Sequence, residues 1–593
     1  MITAIDFDRI LYKNPEHSLH DDRDSIDKII GFDSEAYTTG EPFMFATSLK
    51  EVIKPEDLVE TLFQPRYINA NFMLYNIKYD SGAILYHLSK PHLKLLWENN
   101  QVKVGDLIYS YIPHKQLKIK RGRDRVTFWD ISQFFKHEGH LISLNKAAKT
   151  YLDESKSFIR TKRFTPKYVE RFWKSISLYC IQDAVLTGKL GEYLVSKLDE
   201  FKIKAVSLFS CASISFKYFC DNSKVVTAWR YWRECKDLLK FACDSYEGGK
   251  FEVTARGKFE GYEYDISSAY PYEIANLVDI SNAEYFSSKD YQPDAVYGFI
   301  RCFINNENHR HIPCGMMVKN VRIYPAGKFY LTITKEEYDY LVSINVHVDI
   351  VDAFWLFVKR KRHPYKAVID TLYTLKSCYK SSDKMLYGIT KIVQNSFYGK
   401  TCQAIEMPSG KVQVGAGWNP VYAAVITANT RIKVTKVQNA LRENCLAVHT
   451  DSVITTKPLP SRISQDGKLG NFELQVKGSG IMVACGLYQI GDKRAFKGMA
   501  TKQDDTWESI LLHHRKRMKL KQRIRHVESW IEAMAKNHDK SDINVFDAVD
   551  KIVDLNCDTK RIWEKKATAA SLLLEQEQSH HKVIVDMKRP SHW

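Results

Sequence analysis

The chain has 593 residues, and its cysteines begin late: twelve lie between Cys180 and Cys557, none earlier, and no two at C-x-x-C spacing. A disulfide framework or a zinc ribbon is therefore not expected, and the pattern suits a reducing cytoplasm. No run of about 18 apolar residues occurs, which argues against a membrane-spanning helix. The opening stretch, MITAIDFDRILYKN, carries acids early and has no apolar core, so it does not read as a secretory signal. Internal repeats and low-complexity tracts are also absent. Positive charge is plentiful: 87 Lys and Arg against 70 Asp and Glu give a net +17 and a pI near 9.1. With 44% hydrophobic and 26% charged residues the chain is an ordinary globular one. Its length corresponds to about three to five domains or one large multi-lobed enzyme. A basic folded chain with 12% aromatics favours a polyanionic partner, nucleic acid first.

Basic runs occupy 114–125, 359–363 and 513–526, the last being the densest. The tract 149–190 reads as helices, with Thr165 and Pro166 at a start signal. Residues 365–380 and 383–398 read as two helices, whereas 262–266, 297–304 and 446–456 have strand length and patterning. With hairpins expected near 410–425, the chain reads as an α+β multidomain protein.

Carboxylates recur through the first 190 residues. GFDSEAY at 31–37 sets Asp33 and Glu35 two apart, on one face of a strand. Asp80 ends YNIKYD at 75–80, and Asp183 follows Tyr179 by four residues on a helix, hence on one face. Four carboxylates and a tyrosine suit two Mg²⁺ or Mn²⁺ ions about 4 Å apart, a pair that generates hydroxide and stabilises the leaving oxygen of a phosphodiester. An isolated D-x-E pair is most often a solvated pair at a strand end, and Asp6 with Asp8 is read that way. The ordered set D-x-E, N-x-x-Y-D and Y-x-x-x-D is much harder to obtain by chance.

A second constellation follows. YDISSAYP at 264–271 puts Asp265 at the end of an apolar strand, which Pro271 is expected to stop. In KIVQNSFYGK at 391–400, Lys384, Lys391 and Tyr398 recur every seven residues and share a helix face, with Gly399 as the expected C-cap. Two stacked lysines suit a triphosphate. AVHTDSVI at 447–454 is a strand interrupted by a polar tip carrying Asp451. Asp265 and Asp451 on neighbouring strands then suit the two metals of nucleotidyl transfer. Lysine pairs are commonly solvated faces and strand-end acids are commonly turn formers; the joint order and spacing outweigh both.

These motifs resemble those of the family B DNA polymerases, most closely the small bacteriophage and plasmid enzymes that use protein primers. The resemblance runs from Gly31 to about Gly498. It implies an RNase H-like 3′–5′ exonuclease domain (1–190), a connecting helical segment (191–245), a palm with an insertion (246–364), fingers (365–400), palm with a shortened insertion (401–500) and a thumb (501–593). Asp33, Glu35, Asp80, Tyr179 and Asp183 are similar to the proofreading set, and Asn76 to the residue that holds a single-stranded primer end. D-x-x-S-x-x-Y-P, K-x-x-x-N-S-x-Y-G and T-D-S resemble the three polymerase motifs. They imply metal ligation by Asp265, the Ile266 carbonyl and Asp451, ribonucleotide exclusion by Tyr270, and nucleotide contacts from Lys384, Lys391, Asn395 and Tyr398. YEGG at 246–249 resembles the linker that passes DNA between the sites, through Tyr246, Gly248 and Gly249. Implied cofactors are two Mg²⁺ or Mn²⁺ ions at each site. Implied partners are primer–template DNA and deoxynucleotides, with a monomer in the cytoplasm of a host cell replicating viral, plasmid or mobile-element DNA.

The pattern is broken in two places. The third motif usually reads D-T-D, and His449 replaces its first acid. The primer-gripping K-x-Y aligns with Gly486 and Tyr488, leaving Lys493 or Lys497 to supply the cation. The insertion that encircles template in protein-primed relatives has only 401–418 available, whereas 265–391 leaves room for the one that contacts a terminal protein. Protein priming, primer-independent initiation, a processivity partner and a nuclease with a decayed polymerase half therefore all stay open.

Overall fold

The structure is a computed structural model. It describes residues 7–19, 26–37, 39–137, 140–157, 164–407, 410–465, 467–499, 504–514, 517–526, 547–585 and 587–590. Apolar, β-branched and aromatic runs such as PFMFAT and NFML build an N-terminal eight-stranded sheet. Its order is Val52–Ile53, Pro42–Thr47, Ile29–Ala36, Asn71–Leu74, Asp124–Asp130, Gln116–Arg121, Leu107–Ile112, Gln101–Val104. Ile29–Ala36, Asn71–Leu74 and Asp124–Asp130 run parallel, and the flanking strands antiparallel. Helix Pro166–Glu200 lies across Ile29–Ala36. It starts where expected: the Thr165 hydroxyl accepts from the Tyr168 amide, and Pro166 occupies the first turn. Glycine is required at Gly31, where a Cβ would run into the Ala184 carbonyl and the backbone of Gly188. That contact brings the helix onto the strand bearing Asp33. The tract 149–190 is not continuously helical, because helix Leu144–Tyr151 ends and the described residues 152–157 that follow it are not helical.

The central sheet orders Lys250–Val253, Cys445–Thr450, Ser452–Thr455, Ala255–Ile266, Phe472–Ala484, Leu487–Ile490 and Lys493–Phe496, with Glu577–Gln578 added beside Ala255–Ile266. Helix Pro420–Leu441 packs beneath it and is buried over most of its surface, with Lys436 and Ala440 exposed near its C-terminal end. A third sheet orders Glu284–Ser287, His347–Phe357, Tyr297–Asn306, Ala326–Thr334 and Val583–Ile584; its first four strands come from the sequence between the first two polymerase-like motifs, and the last from near the C-terminal end. Helices Lys366–Ser382 and Lys384–Ser396 are separated by Asp383, whose side chain accepts from the Met385 and Leu386 amides.

Three local expectations are corrected. Pro271 does not stop the strand; it sits in the first turn of helix Ala269–Asn276, and the chain turns earlier, at left-handed Ser268. Gly399 is not a C-cap: the helix ends at Ser396, and Gly399 lies inside the short helix Tyr398–Thr401. The hairpin expected near 410–425 is Ala404–Glu406 with Val412–Val414, because Asn419 caps a helix at Pro420. Pro408 and Ser409 of its turn lie outside the described residues. Strand Ile10–Leu11 pairs with Val412–Val414, making the hairpin a three-stranded sheet. Of the dense basic tract, Arg515 and Lys516 lie outside the described residues, and Lys519–His526 is a strand paired with Asp547–Asp554.

Candidate active sites

On the N-terminal sheet, Asp33 and Glu35 point to the same side of Ile29–Ala36. Asp80 lies in the first turn of helix Ile77–Ile84 and accepts from the Ser34 hydroxyl at 2.6 Å. Asp183 comes from the overlying helix. Burial first, and then mutual repulsion with Asp80, Glu35 and Asp183, hold the Asp33 carboxyl well above its ordinary range. Burial and Asp183 push Glu35 up to about 8, and burial pushes Asp80 up to about 7. Four acids thus face one another with too little positive charge among them. One cation enters from the protein: Lys156 pairs with Asp183 and stands 4.4 Å from the Tyr179 ring. Burial works against its charge, and Asp183 more than restores it. Ligand atoms of Asp33, Glu35 and Cys180 lie within 4.8 Å of one another, and Asp183 Oδ1 is buried without a hydrogen-bond partner. The carboxylates of this set fit hard divalent cations, whereas the Cys180 thiol, raised by burial, is not a hard donor. Asn76 is exposed at the N-terminus of helix Ile77–Ile84 with a left-handed backbone. Sequence reading found every acid of this site and missed Lys156, Cys180 and Ser34. Ser34 lies inside the quoted motif, whereas nothing in the sequence around Lys156 marks it.

On the central sheet, Asp265 ends strand Ala255–Ile266, and Asp451 occupies the turn between Cys445–Thr450 and Ser452–Thr455, after left-handed Thr450. Asp265 pairs in register with Ser452, and the Ile266 amide donates to the Asp451 carbonyl at 2.9 Å. The acids, 186 positions apart in sequence, are therefore neighbours. Burial lifts Asp265 to about 6 against the pull of Lys493, with Glu263 and Asp451 adding to the rise. Burial also raises Asp451, again opposed by Lys493.

Around this pair the structure gathers three tyrosines from three segments. The Tyr270 and Tyr398 ring centroids are 4.5 Å apart, and the Tyr398 and Tyr246 hydroxyls share a 2.6 Å hydrogen bond. Tyr270 is raised to about 12 by burial and by Asp451. The loop at 246–249 abuts the acid hairpin: a Cβ on Gly249 would strike the Thr450 side chain, whereas one on Gly248 would meet nothing. Wholly buried Arg431 fixes that loop, donating to the carbonyls of Glu247 at 2.6 Å and Gly248 at 3.0 Å and to Glu337 at 2.7 Å. A lone arginine in the apolar run 420–441 was the available signal for it. Lys384, Lys391 and Asn395 are exposed along helix Lys384–Ser396. Lys376, not singled out from the sequence, donates to the Ser268 hydroxyl at 3.1 Å and feels the charge of Lys391.

His449 is buried between Phe251 and Tyr488, with ring centroids 5.2 and 5.1 Å away. Burial, then Lys493, Lys560 and Lys497, lower it to about 3, so it is neutral and supplies no charge where the motif usually has an acid. Tyr488 donates to Glu263 at 2.8 Å, and Lys497 stands 4.9 Å from the Phe251 ring.

Residues 138–415 match the family model described as DNA polymerase type B, organellar and viral. A DNA polymerase of Acidianus bottle-shaped virus (isolate Italy/Pozzuoli) is 26% identical over 54% of this chain and 48% of its own. A probable DNA polymerase of Ascobolus immersus is 24% identical over 50% of this chain and 28% of its own. The chain thus spans about half the length of the first relative and less of the second. Among solved structures, phi29 DNA polymerase complexed with primer-template DNA and incoming nucleotide substrates superposes with a TM-score of 0.58 at 14% identity, covering 85% of this chain and 97% of that one. The orthorhombic crystal form of the phi29 enzyme gives 0.56, covering 78% and 86%. Sequence and fold agree with the motifs: over 138–415 this chain is similar to the organellar and viral type B DNA polymerases, and it shares the fold of the phi29 enzyme.

Proposed function

We propose that the chain is a template-directed DNA polymerase with a separate 3′–5′ exonuclease site. The observation that carries this reading is the pair of acid clusters, one on each large sheet: Asp33, Glu35, Asp80 and Asp183 on the first, and Asp265 beside Asp451 on the second, raised by burial first and by neighbouring acids second. The phi29 relative, solved with primer–template and incoming nucleotide, supports it. The N-terminal sheet is then the exonuclease domain, 191–245 a connector, the central sheet the palm, 365–400 the fingers and 501–593 the thumb.

Asp33, Glu35, Asp80 and Asp183 would hold one pair of Mg²⁺ or Mn²⁺ ions, and Asp265, Asp451 and the Ile266 carbonyl another. Such ions, when bound, activate the attacking oxygen and neutralise charge on the leaving group. At the palm, Tyr270, backed by Tyr398, lies beneath the nucleotide sugar and excludes a 2′-hydroxyl. Lys391, with Lys384 and Lys376 along the fingers, receives the triphosphate as point charges. Asn395 and Tyr398 complete the nucleotide pocket. Tyr246, Gly248 and Gly249 steer the primer strand toward the exonuclease site, where Asn76 takes its single-stranded end. Lys156 and Tyr179 orient Asp183 there. Tyr488 and Lys497 contact the primer strand in the palm.

Four strands of the third sheet are built from the stretch 265–391, long enough for the insertion that meets a terminal protein in relatives, and this supports protein priming. Neutral His449 favours a second reading in one respect, a polymerase half weakened beside an intact nuclease. Incubating the chain with primer–template, Mg²⁺ and deoxynucleotides separates them: extension supports the polymerase, and shortening without extension supports the nuclease alone.

A further inference from the structure

Glu263 stands two residues before Asp265 on strand Ala255–Ile266, which pairs regularly with Ser452–Thr455 across both positions, so both side chains leave the same face, although the register with Phe472–Ala484 shifts between Glu263 and Tyr264. It is 1% exposed. One carboxylate oxygen accepts from the Tyr488 hydroxyl at 2.8 Å and from Lys493 at 2.7 Å. The other oxygen is buried and has no hydrogen-bond partner. A buried carboxylate with an idle oxygen is expensive to keep, which calls for a reason beyond packing. Lys493 is half-exposed, and its charge reaches Asp265, Asp451 and His449. Tyr488 links the group back to His449, whose ring it stacks on at 24°.

Resting on the polymerase reading above, we infer that Glu263 is a positioning residue of the transfer site: it returns the negative charge that His449 removes, and it holds Lys493 and Tyr488 against the Asp265–Asp451 pair. The strand row carrying an acid at 449 in the usual motif carries a neutral imidazole here, and the missing carboxylate reappears across the same sheet. Lys493, tethered on its buried side to Glu263, keeps its exposed side for a phosphodiester arriving beside the two acids. Position 486 is poorly suited to that cation: Gly486 has φ of 74°, and a Cβ there would crowd Lys497.

The test is a charge-swap cycle with E263Q, E263D, H449D and the double variant E263Q/H449D. The amide of E263Q still accepts from Tyr488, so the fold is kept while the charge is lost. Melting temperature and single-strand shortening serve as fold controls. Expected is a fall of about tenfold or more in extension for E263Q, with shortening unchanged, near-normal extension for E263D, and recovery of at least about threefold when H449D is added to E263Q. Primer–template affinity, measured in EDTA and therefore without turnover, should rise in E263Q with a steeper salt slope, because a carboxylate beside Lys493 is gone. It should return toward the parent value in the double variant. K493M should weaken binding and flatten the salt slope by about one. Extension by E263Q at the parent rate, or a loss that neither E263D nor H449D reverses, overturns the inference. So does unchanged binding in E263Q. Absence of extension by the parent chain overturns the polymerase reading instead, and the binding arm still decides the role of Glu263.

Discussion

The two acid clusters solve the same electrostatic problem with different resources. The N-terminal cluster draws four carboxylates from one strand, one helix start and one overlying helix, with Lys156 at its edge. The central cluster has two motif acids, Asp265 and Asp451, contributed by strands distant in sequence, and a lysine, Lys493, acting on both. The first site is the more crowded with like charge. The second has lost an acid to neutral His449 and has Glu263 nearby. In the first, the close approach of Gly31 to Gly188 seats the helix bearing Asp183 on the strand bearing Asp33 and Glu35. A site assembled across a sheet must be balanced by whatever the neighbouring strands carry.

The largest expected effect separates the sites. D265A and D451A should each lower extension by at least about a thousandfold, the loss of metal-dependent charge stabilisation, and leave single-strand shortening intact. Substantial extension by either variant in a primer-extension assay would dissolve the contrast. K156A should lower shortening by about 10–100-fold with extension unchanged, since it removes one charge that orients Asp183 rather than an acid itself. Equal losses in both assays would point to unfolding.

Legibility differs between the regions in the same way. The acids of the first cluster were readable because each obeys a local spacing, two on a strand or four on a helix. The helices on either side of Asp383 and the hairpin bearing Asp451 were readable from local patterning too. Lys156, Arg431, Lys376 and the Glu263–Lys493 pair were not, because their roles arise from contacts between distant segments. Pro271 and Gly399 misled for the opposite reason: proline suits a helix's first turn as well as a strand's end, and glycine is tolerated inside a short helix. The hairpin expected near 410–425 lies earlier, at 404–414, because Asn419 and Pro420 start a helix.

Y270A should raise ribonucleotide incorporation by about 10–100-fold relative to deoxyribonucleotides, because a steric block discriminates sharply. Unchanged selectivity in a competition assay would reduce Tyr270 to packing against Tyr398. A smaller effect is expected in stability. Asp33, Glu35, Asp80 and Asp265 have folded-state pKa values above their unfolded ones. The folded chain then binds more protons than the unfolded chain between about pH 4 and 8, so stability falls as pH rises through that window. Mg²⁺ or Mn²⁺ should therefore raise the melting temperature more at pH 8 than at pH 5.5, and D33A/E35A should remove most of that difference. Equal stabilisation at both pH values would show that the acid clusters do not hold the cations.

The most direct test of two independent sites in one chain is a crossed assay on a single preparation. The parent chain, D451A and D33A/E35A are each given primer–template with Mg²⁺ and deoxynucleotides, and a single strand with Mg²⁺ alone. The account predicts that the parent both extends and shortens, that D451A only shortens, and that D33A/E35A only extends. Loss of both activities in either variant, with the melting temperature preserved, would contradict it.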